Sequence, residues 1–151
     1  MTIEITTASA VSEIKEKSHL EAKSIKDADV RYDVEAGSEK LPEIQRCVVY
    51  ADTQLRTLLA RYLQTVSSET ITAGITFPTT LSYVVSMSER RNANKSAQLP
   101  QLFREYIICA SLSKFYATVA ATDLASKWGS LAAAQGADIV RIINFKNPPV
   151  L

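Results

Sequence analysis

The chain has 151 residues and a formal net charge of +1, a length that allows one domain with a substantial core and a tail. Hydrophobic residues make up 46% of the sequence, which excludes a wholly disordered chain. No apolar run is long enough to cross a membrane, and the opening MTIEITTASA lacks the pattern of a secretory leader. We therefore expect a soluble, intracellular protein.

Charge is distributed unevenly along the chain. Residues 1–40 hold nine acids and six bases, whereas residues 41–151 hold seven acids and eleven bases. An acidic N-terminal segment therefore precedes a basic body, and a basic body can bind a polyanion. Ordinary scatter of charges is the alternative explanation.

Residues 1–40 are rich in polar side chains and poor in aliphatic ones. A helix over residues 12–26 is possible, but Ile14, Leu20 and Ile25 are too few to anchor it alone. Such a segment buries too little apolar surface to offset its ordering entropy. We predict an arm that is flexible or becomes ordered only against another subunit.

Residues 41–66 follow the apolar spacing of an amphipathic helix. Asp52 is placed to cap the second part of this helix, since a carboxylate accepts the free N–H groups of a first turn. Arg56 and Arg61 lie off the apolar stripe, where we expect them to face solvent or a partner.

The next segment is predicted as an extended connector, residues 67–78, followed by a short helix over residues 81–89. Its β-branched stretch at residues 70–77 is interrupted by Gly74 and ended by Pro78. A single short strand would have no partner in a chain that is otherwise helical, so a strand is not expected here.

The C-terminal half contains a basic loop and the longest apolar-periodic stretch. Residues 88–98, SERRNANKSAQ, form the most polar and basic segment of the body. Residues 100–145 then predict a central helix that is apolar over more than one face, with breaks near Gly129 and Gly136. The fold class predicted is all-α: a compact helical bundle at residues 41–146, an extended N-terminal arm at 1–40 and a short irregular tail at 147–151.

Catalytic and metal-binding motifs are not evident in the sequence. His19 is the only histidine, and two distant cysteines, Cys47 and Cys109, do not make a zinc set. Both cysteines lie in apolar helical patterns and are expected to be buried and reduced. Asp123 and Asp138 are candidates for a catalytic pair, and two solvated carboxylates are the alternative explanation. We expect no enzyme activity, no metal and no cofactor.

Nucleic-acid binding is the function that the charged residues favour. The basic loop offers Arg90, Arg91 and Lys95, and Arg104 projects from the helix that follows. Three aromatic side chains lie near this strip in sequence and could stack on unpaired bases: Tyr83, Phe103 and Tyr106. The alternative is a solvated loop with these aromatic side chains in the core.

Short motifs along the chain match those of a known family in order. They read Leu59-Ala60-Arg61-Tyr62 with Ser67-Ser68, Ser111-Leu112-Ser113-Lys114-Phe115, Tyr116-Ala117-Thr118-Val119, Ser126-Lys127-Trp128, Gln135-Gly136, Ala137-Asp138-Ile139-Val140, Asn144-Phe145 and Asn147-Pro148. This pattern resembles the coat proteins of flexuous filamentous plant viruses, of the potexvirus and carlavirus kind.

The resemblance implies a helical body, an N-terminal arm that packs on the next subunit, and a groove that binds genomic RNA through a serine, an arginine and an aspartate. By position, the serine would be Ser67 or Ser68 and the aspartate Asp138. The arginine would be Arg90, Arg91 or Arg104, and spacing does not choose among them.

These observations lead to two hypotheses of different kinds. The first is a capsid or nucleocapsid subunit that polymerises helically with copies of itself, through residues 1–40 and the C-terminal tail. It would bind single-stranded genomic RNA without sequence preference, in the virion and the host cytoplasm. The alternative is a protein-only helical filament or interaction module that binds no nucleic acid. A small enzyme is a distant third.

Overall fold

The computed structural model describes residues 1–64 and 77–149, and these residues are mostly helical. The elements in chain order are β1 (Thr2–Thr6), α1 (Thr7–Ala22), α2 (Ala28–Val34), a 3-10 turn (Ser38–Lys40), α3 (Leu41–Leu58), β2 (Thr80–Val84), α4 (Ala93–Ser96), α5 (Leu99–Thr118) and α6 (Thr122–Asn144). The predominantly helical fold is thus confirmed, with the addition of a small two-stranded sheet that the all-α prediction did not include.

Helix α5 lies at the centre of the fold and packs against α6, α3 and α1. Pro100 lies in its first turn, where the missing N–H breaks no helical hydrogen bond. The side chains of Ile107 and Leu112 are fully buried although they lie on different sides of the helix. The prediction of a central helix that is apolar over more than one face is confirmed.

The two glycines expected to break the last helical stretch do not break it. Helix α6 runs through both Gly129 and Gly136 to Asn144. The break comes earlier, between α5 and α6, where Ala120 adopts the left-handed conformation at φ 58°. A Cβ at Gly136 would lie 2.9 Å from Leu58 Cδ2 and 3.2 Å from Tyr106 Cε2. Gly136 therefore permits the close approach of α6 to α3 and α5.

Helix α3 begins where the sequence predicted and ends earlier, at Leu58 instead of Val66. Its buried positions include Ile44, Val48 and Leu55, which recur at helical spacing. Asp52 lies in the middle of this continuous helix and is only 5% exposed. The capping role predicted for Asp52 is therefore wrong.

Strand β2 takes the place of the first half of the helix predicted over residues 81–89, and the second half, residues 85–89, is not helical either. The strand pairs in antiparallel register with β1, and Ile3 lies opposite Tyr83. The N-terminus supplies the partner of β2, and the backbone N–H of Val85 also donates to Met1 O at 2.8 Å. Residues 67–76 of the predicted connector, which include most of its β-branched stretch, lie outside the described residues.

Residues 1–40 pack on their own chain instead of extending away from it. Ile3 and Ile5 are 1% and 3% exposed, and α1 buries Ala10 and Ile14 against the body. The turn after α2 is attached to α1 because Ser18 Oγ accepts from the backbone N–H of Ala36 at 3.0 Å. The flexible or swapped arm that the sequence predicted is therefore an ordered part of the domain in this structure.

Candidate nucleic-acid interface

The basic loop is held in shape by its own short side chains. Ser88 Oγ accepts from the backbone N–H of Arg90 at 3.2 Å. Asn92 caps the single turn of α4, because its Oδ1 accepts from the backbone N–H of Lys95 at 3.0 Å. These bonds direct Arg90, Arg91 and Lys95 to the surface, where all three side chains are exposed.

The C-terminal segment folds back onto this loop and adds a fourth basic residue. Arg91 and Lys146 form an isolated antiparallel bridge, and the backbone N–H of Asn147 donates to Arg90 O at 2.8 Å. The Arg90 guanidinium in turn donates to Asn147 O, at 2.6 Å from Nη2 and 3.1 Å from Nε. We define the basic surface as Arg90, Arg91, Lys95 and Lys146.

An aromatic side chain lies in this surface at a position that sequence reasoning missed. The Lys95 ammonium stands 3.5 Å from the centroid of the half-buried Phe145 ring, a close cation–π contact. In the sequence, the only sign that Phe145 belongs to a basic surface is the lysine that follows it, Lys146. The contacts of the C-terminal segment with the loop bring both residues to Lys95. Within residues 88–95 and 145–147 four bases accompany the single acid Glu89.

The aromatic residues predicted to stack on bases are core residues instead. Tyr83 and Phe103 are fully buried and Tyr106 is 9% exposed. The Tyr83 and Phe103 rings pack edge to face with centroids 5.3 Å apart. Their assignment as a base-stacking platform is wrong, because strand β2 and helix α5 direct them inward.

Arg104 and Asp138 have other partners than the basic loop. The Arg104 guanidinium donates to Glu13 Oε2 on α1, at 2.7 Å from Nη2, and its pairing with an acid neutralises its charge. Asp138 accepts from Arg141 Nη2 one turn further along α6, at 2.5 Å. Ser67 and Ser68 lie outside the described residues. Of the predicted RNA-binding residues, the structure thus brings together Arg90, Arg91 and Lys95.

A buried polar cluster joins α3 to β2. Tyr83 Oη donates to Asp52 Oδ1 at 2.5 Å, and Arg56 Nε donates to both carboxylate oxygens of Asp52 at 3.0 Å. Burial, then the charge of Asp52 and the hydrogen bond to it, raise the pKa of Tyr83 far above its ordinary value. The hydroxyl therefore stays a donor, and the cluster is a structural connection between the helix and the sheet.

The two cysteines are buried free thiols, as the sequence predicted. Burial is the main cause that raises the pKa of Cys47 to about 11, and it also raises the pKa of Cys109. Neither thiol is activated as a nucleophile. Among residues 1–64 and 77–149, no group of three or more His, Cys, Asp and Glu side chains could hold a metal ion.

Comparison with known proteins gives no matching family model, curated relative or solved structure. In the part of the chain that the structure describes, every helix is too short or too polar to span a membrane.

Proposed function

We propose that this protein is the subunit of a helical capsid or nucleocapsid that binds single-stranded RNA without sequence preference. The observation that carries the proposal is the basic surface, which presents four exposed cations and, 3.5 Å from the ammonium of one of them, Lys95, the half-buried ring of Phe145. Arginine and lysine pair with phosphates and an aromatic face stacks on any base, so both contacts tolerate every sequence.

Self-assembly is supported by apolar side chains that the single chain leaves uncovered. In α2, within the segment first predicted to contact a neighbouring subunit, Val30 and Tyr32 are 47% and 59% exposed. These two side chains lie two positions apart, on different sides of the short helix, and each offers apolar area to a neighbouring subunit. A head-to-tail contact made with such a surface yields a filament when its rotation does not close.

The RNA-binding half of the proposal is tested with a pair of matched double variants. Arg91→Gln with Lys146→Gln removes two charges from the basic surface without touching the Arg90–Asn147 hydrogen bonds. Arg46→Gln with Arg141→Gln removes two exposed charges from α3 and α6. For every phosphate that the protein no longer binds, the log–log slope of single-stranded RNA affinity against salt should become shallower by about 0.7.

Fluorescence anisotropy with a labelled single-stranded RNA measures both the affinity and this slope. We expect the first double variant to bind more weakly and with a shallower slope, and the second to bind like the unmodified protein. Equal binding by both variants would exclude the basic surface as the RNA site.

The protein-only filament remains the second candidate, because the exposed apolar residues of α2 favour assembly with or without RNA. The nucleic-acid content of purified assemblies distinguishes the nucleocapsid from the protein-only filament. Filaments that contain nuclease-protected RNA support the nucleocapsid, whereas filaments free of nucleic acid support the structural polymer. A monomer under all conditions would contradict both.

A further inference from the structure

Asn147 connects the C-terminal segment to three consecutive residues of the basic loop. Its backbone N–H donates to Arg90 O at 2.8 Å. Its side-chain Oδ1 accepts from Asn92 Nδ2 at 3.3 Å, and its Nδ2 lies 3.5 Å from Arg91 O. Asn147 therefore holds the backbone of the loop at the point from which the side chain of Arg90 projects.

The backbone carbonyl of Asn147 also orients the side chain of Arg90. Its oxygen accepts from two nitrogens of the guanidinium, Nη2 at 2.6 Å and Nε at 3.1 Å. The guanidinium is planar and carries five N–H groups in a rigid arrangement, so two bonds to one oxygen fix the orientation of its plane. Three N–H groups remain, two on Nη1 and one on Nη2, and the edge that they form can bind a phosphate bidentately. Arg90 is an exposed residue, and its bonds to Asn147 O lie at the surface.

A carbonyl holds the guanidinium of Arg90 without neutralising its charge. No carboxylate of the described residues 1–64 and 77–149 forms an ion pair with Arg90. By contrast, Arg104 pairs with Glu13 at 2.7 Å. Arg90 therefore combines an oriented side chain with a positive charge that remains available to an anion.

An arginine that is oriented before RNA binds loses less entropy when it pairs with a phosphate. A mobile arginine has many rotamers, and pairing with a phosphate restricts them. Ordering one such side chain at an interface weakens binding by about two- to tenfold. The contacts of Arg90 with Asn147 restrict the same rotamers in the protein without RNA.

We propose that Asn147 is a positioning residue of the RNA-binding surface, which holds the guanidinium of Arg90 so that its Nη1–Nη2 edge pairs with a phosphate. This role rests on the proposed function, because it concerns the affinity of the same surface for RNA. Asn147 carries no charge, and it raises the affinity through Arg90 alone.

The substitution Asn147→Pro tests this role without changing any charge. Proline has no N–H to donate to Arg90 O, and its ring occupies the place of that hydrogen, so the two backbone segments separate. Asn147→Ala is the matched control, since it retains the backbone N–H and carbonyl that contact Arg90. Thermal unfolding of both variants establishes that they are folded.

Fluorescence anisotropy with a labelled single-stranded RNA measures the affinity of each variant and its dependence on salt. We expect Asn147→Pro to weaken binding about two- to tenfold and to leave the log–log salt slope unchanged, because no phosphate contact is lost. Asn147→Ala should weaken binding less. When Arg90→Gln is already present, Asn147→Pro should have no further effect, because Asn147 acts through Arg90.

Three results would overturn this role of Asn147. The first is unchanged affinity of folded Asn147→Pro. The second is tighter binding, because the Asn147 carbonyl would then compete with phosphate for the guanidinium. The third is a loss of affinity that persists when Arg90→Gln is present, because Asn147 would then act through the shape of the loop. A failure of the unmodified protein to bind RNA is a distinct result, which would contradict the proposed function itself.

The mobility of the arginine side chains gives a second readout that needs no RNA. The heteronuclear NOE of each Nε–H reports motion on the ps–ns timescale. Arg31 is the reference for a held guanidinium, since its Nε and Nη2 donate to Ile25 O at 2.9 and 2.6 Å. We expect Arg90 to have an NOE close to that of Arg31 and higher than that of Arg91, and Asn147→Pro to lower it to the value of Arg91. Equal values for Arg90 and Arg91 in the unmodified protein would overturn the proposal even if RNA binds.

Discussion

Removing the hydroxyl of Tyr83 should destabilise the protein, whereas removing that of Tyr116 should not. Both side chains are fully buried, but Tyr83 Oη donates to the Asp52 carboxylate at 2.5 Å and Tyr116 Oη has no partner. Tyr83→Phe retains the ring, its packing against Phe103 and the Arg56 guanidinium 4.6 Å from its centroid. The expected change is therefore that of the hydrogen bond alone.

A hydrogen bond to a charged group contributes about 1.5–3 kcal/mol, so Tyr83→Phe should lower the free energy of unfolding by this amount. Tyr116→Phe removes a buried hydroxyl whose desolvation is not compensated by a hydrogen bond, so we expect no change or a gain of up to about 1 kcal/mol. Equilibrium urea unfolding followed by far-UV circular dichroism measures both, provided that the m value is unchanged.

A double-mutant cycle assigns the Tyr83 effect to its partner. Asp52→Asn combined with Tyr83→Phe should show a coupling of about 1–2 kcal/mol. The reasoning is refuted if Tyr83→Phe costs less than about 0.5 kcal/mol, or if Tyr116→Phe costs as much as Tyr83→Phe.

Three further changes test other parts of the fold. Ile5→Ala should lower the free energy of unfolding in urea by about 2–5 kcal/mol because Ile5 is a core residue, whereas Glu4→Ala, at an exposed neighbouring position, should lower it little. Equally small effects of both changes would indicate that residues 1–40 form a flexible arm. Stability should fall as pH rises above about 9, since the folded protein retains the proton of Cys47 up to about pH 11 while the unfolded chain releases it. Cys47→Ala should flatten this decline in unfolding measured against pH, and an unchanged slope would contradict the raised pKa. Ala120→Gly should stabilise by about 0.5–1 kcal/mol, because the left-handed conformation is strained for alanine and not for glycine; a decrease in melting temperature would contradict this.

The sequence predicted the long helices well and the sheet not at all. Helices α3 and α5 have apolar residues at helical spacing over many turns, a pattern that only burial on one or more faces produces. Strand β2 is five residues long, too short for its period to be distinguished from that of a helix. It forms only because it pairs with β1, and the apolar pattern of a short stretch of sequence cannot show that two distant segments pair.

The break between α5 and α6 was misplaced for a related reason. A glycine inside a helix weakens it but does not end it when packing requires a side chain of minimal size, as at Gly136. Ala120 gives no signal in the sequence, because alanine is the best helix former. The conformation there is imposed by the packing of the two helices.

The candidate interface was predicted in part. The run that contains Arg90, Arg91 and Lys95 is evident from charge alone, and the structure retains it at the surface. The contributions of Phe145 and Lys146 depend on contacts between residues more than fifty positions apart. Likewise, no local pattern distinguishes the core tyrosine Tyr83 from an exposed stacking residue.

The pairing of β1 with β2 also determines the order in which the chain can fold during synthesis. The N-terminal ammonium donates to Val85 O across 84 positions of sequence, so β1 has no partner at least until β2 has been synthesised. At about 5–20 residues per second, this takes about 4–17 s. During that interval Ile3 and Ile5 are uncovered, because the strand that pairs with theirs is made later.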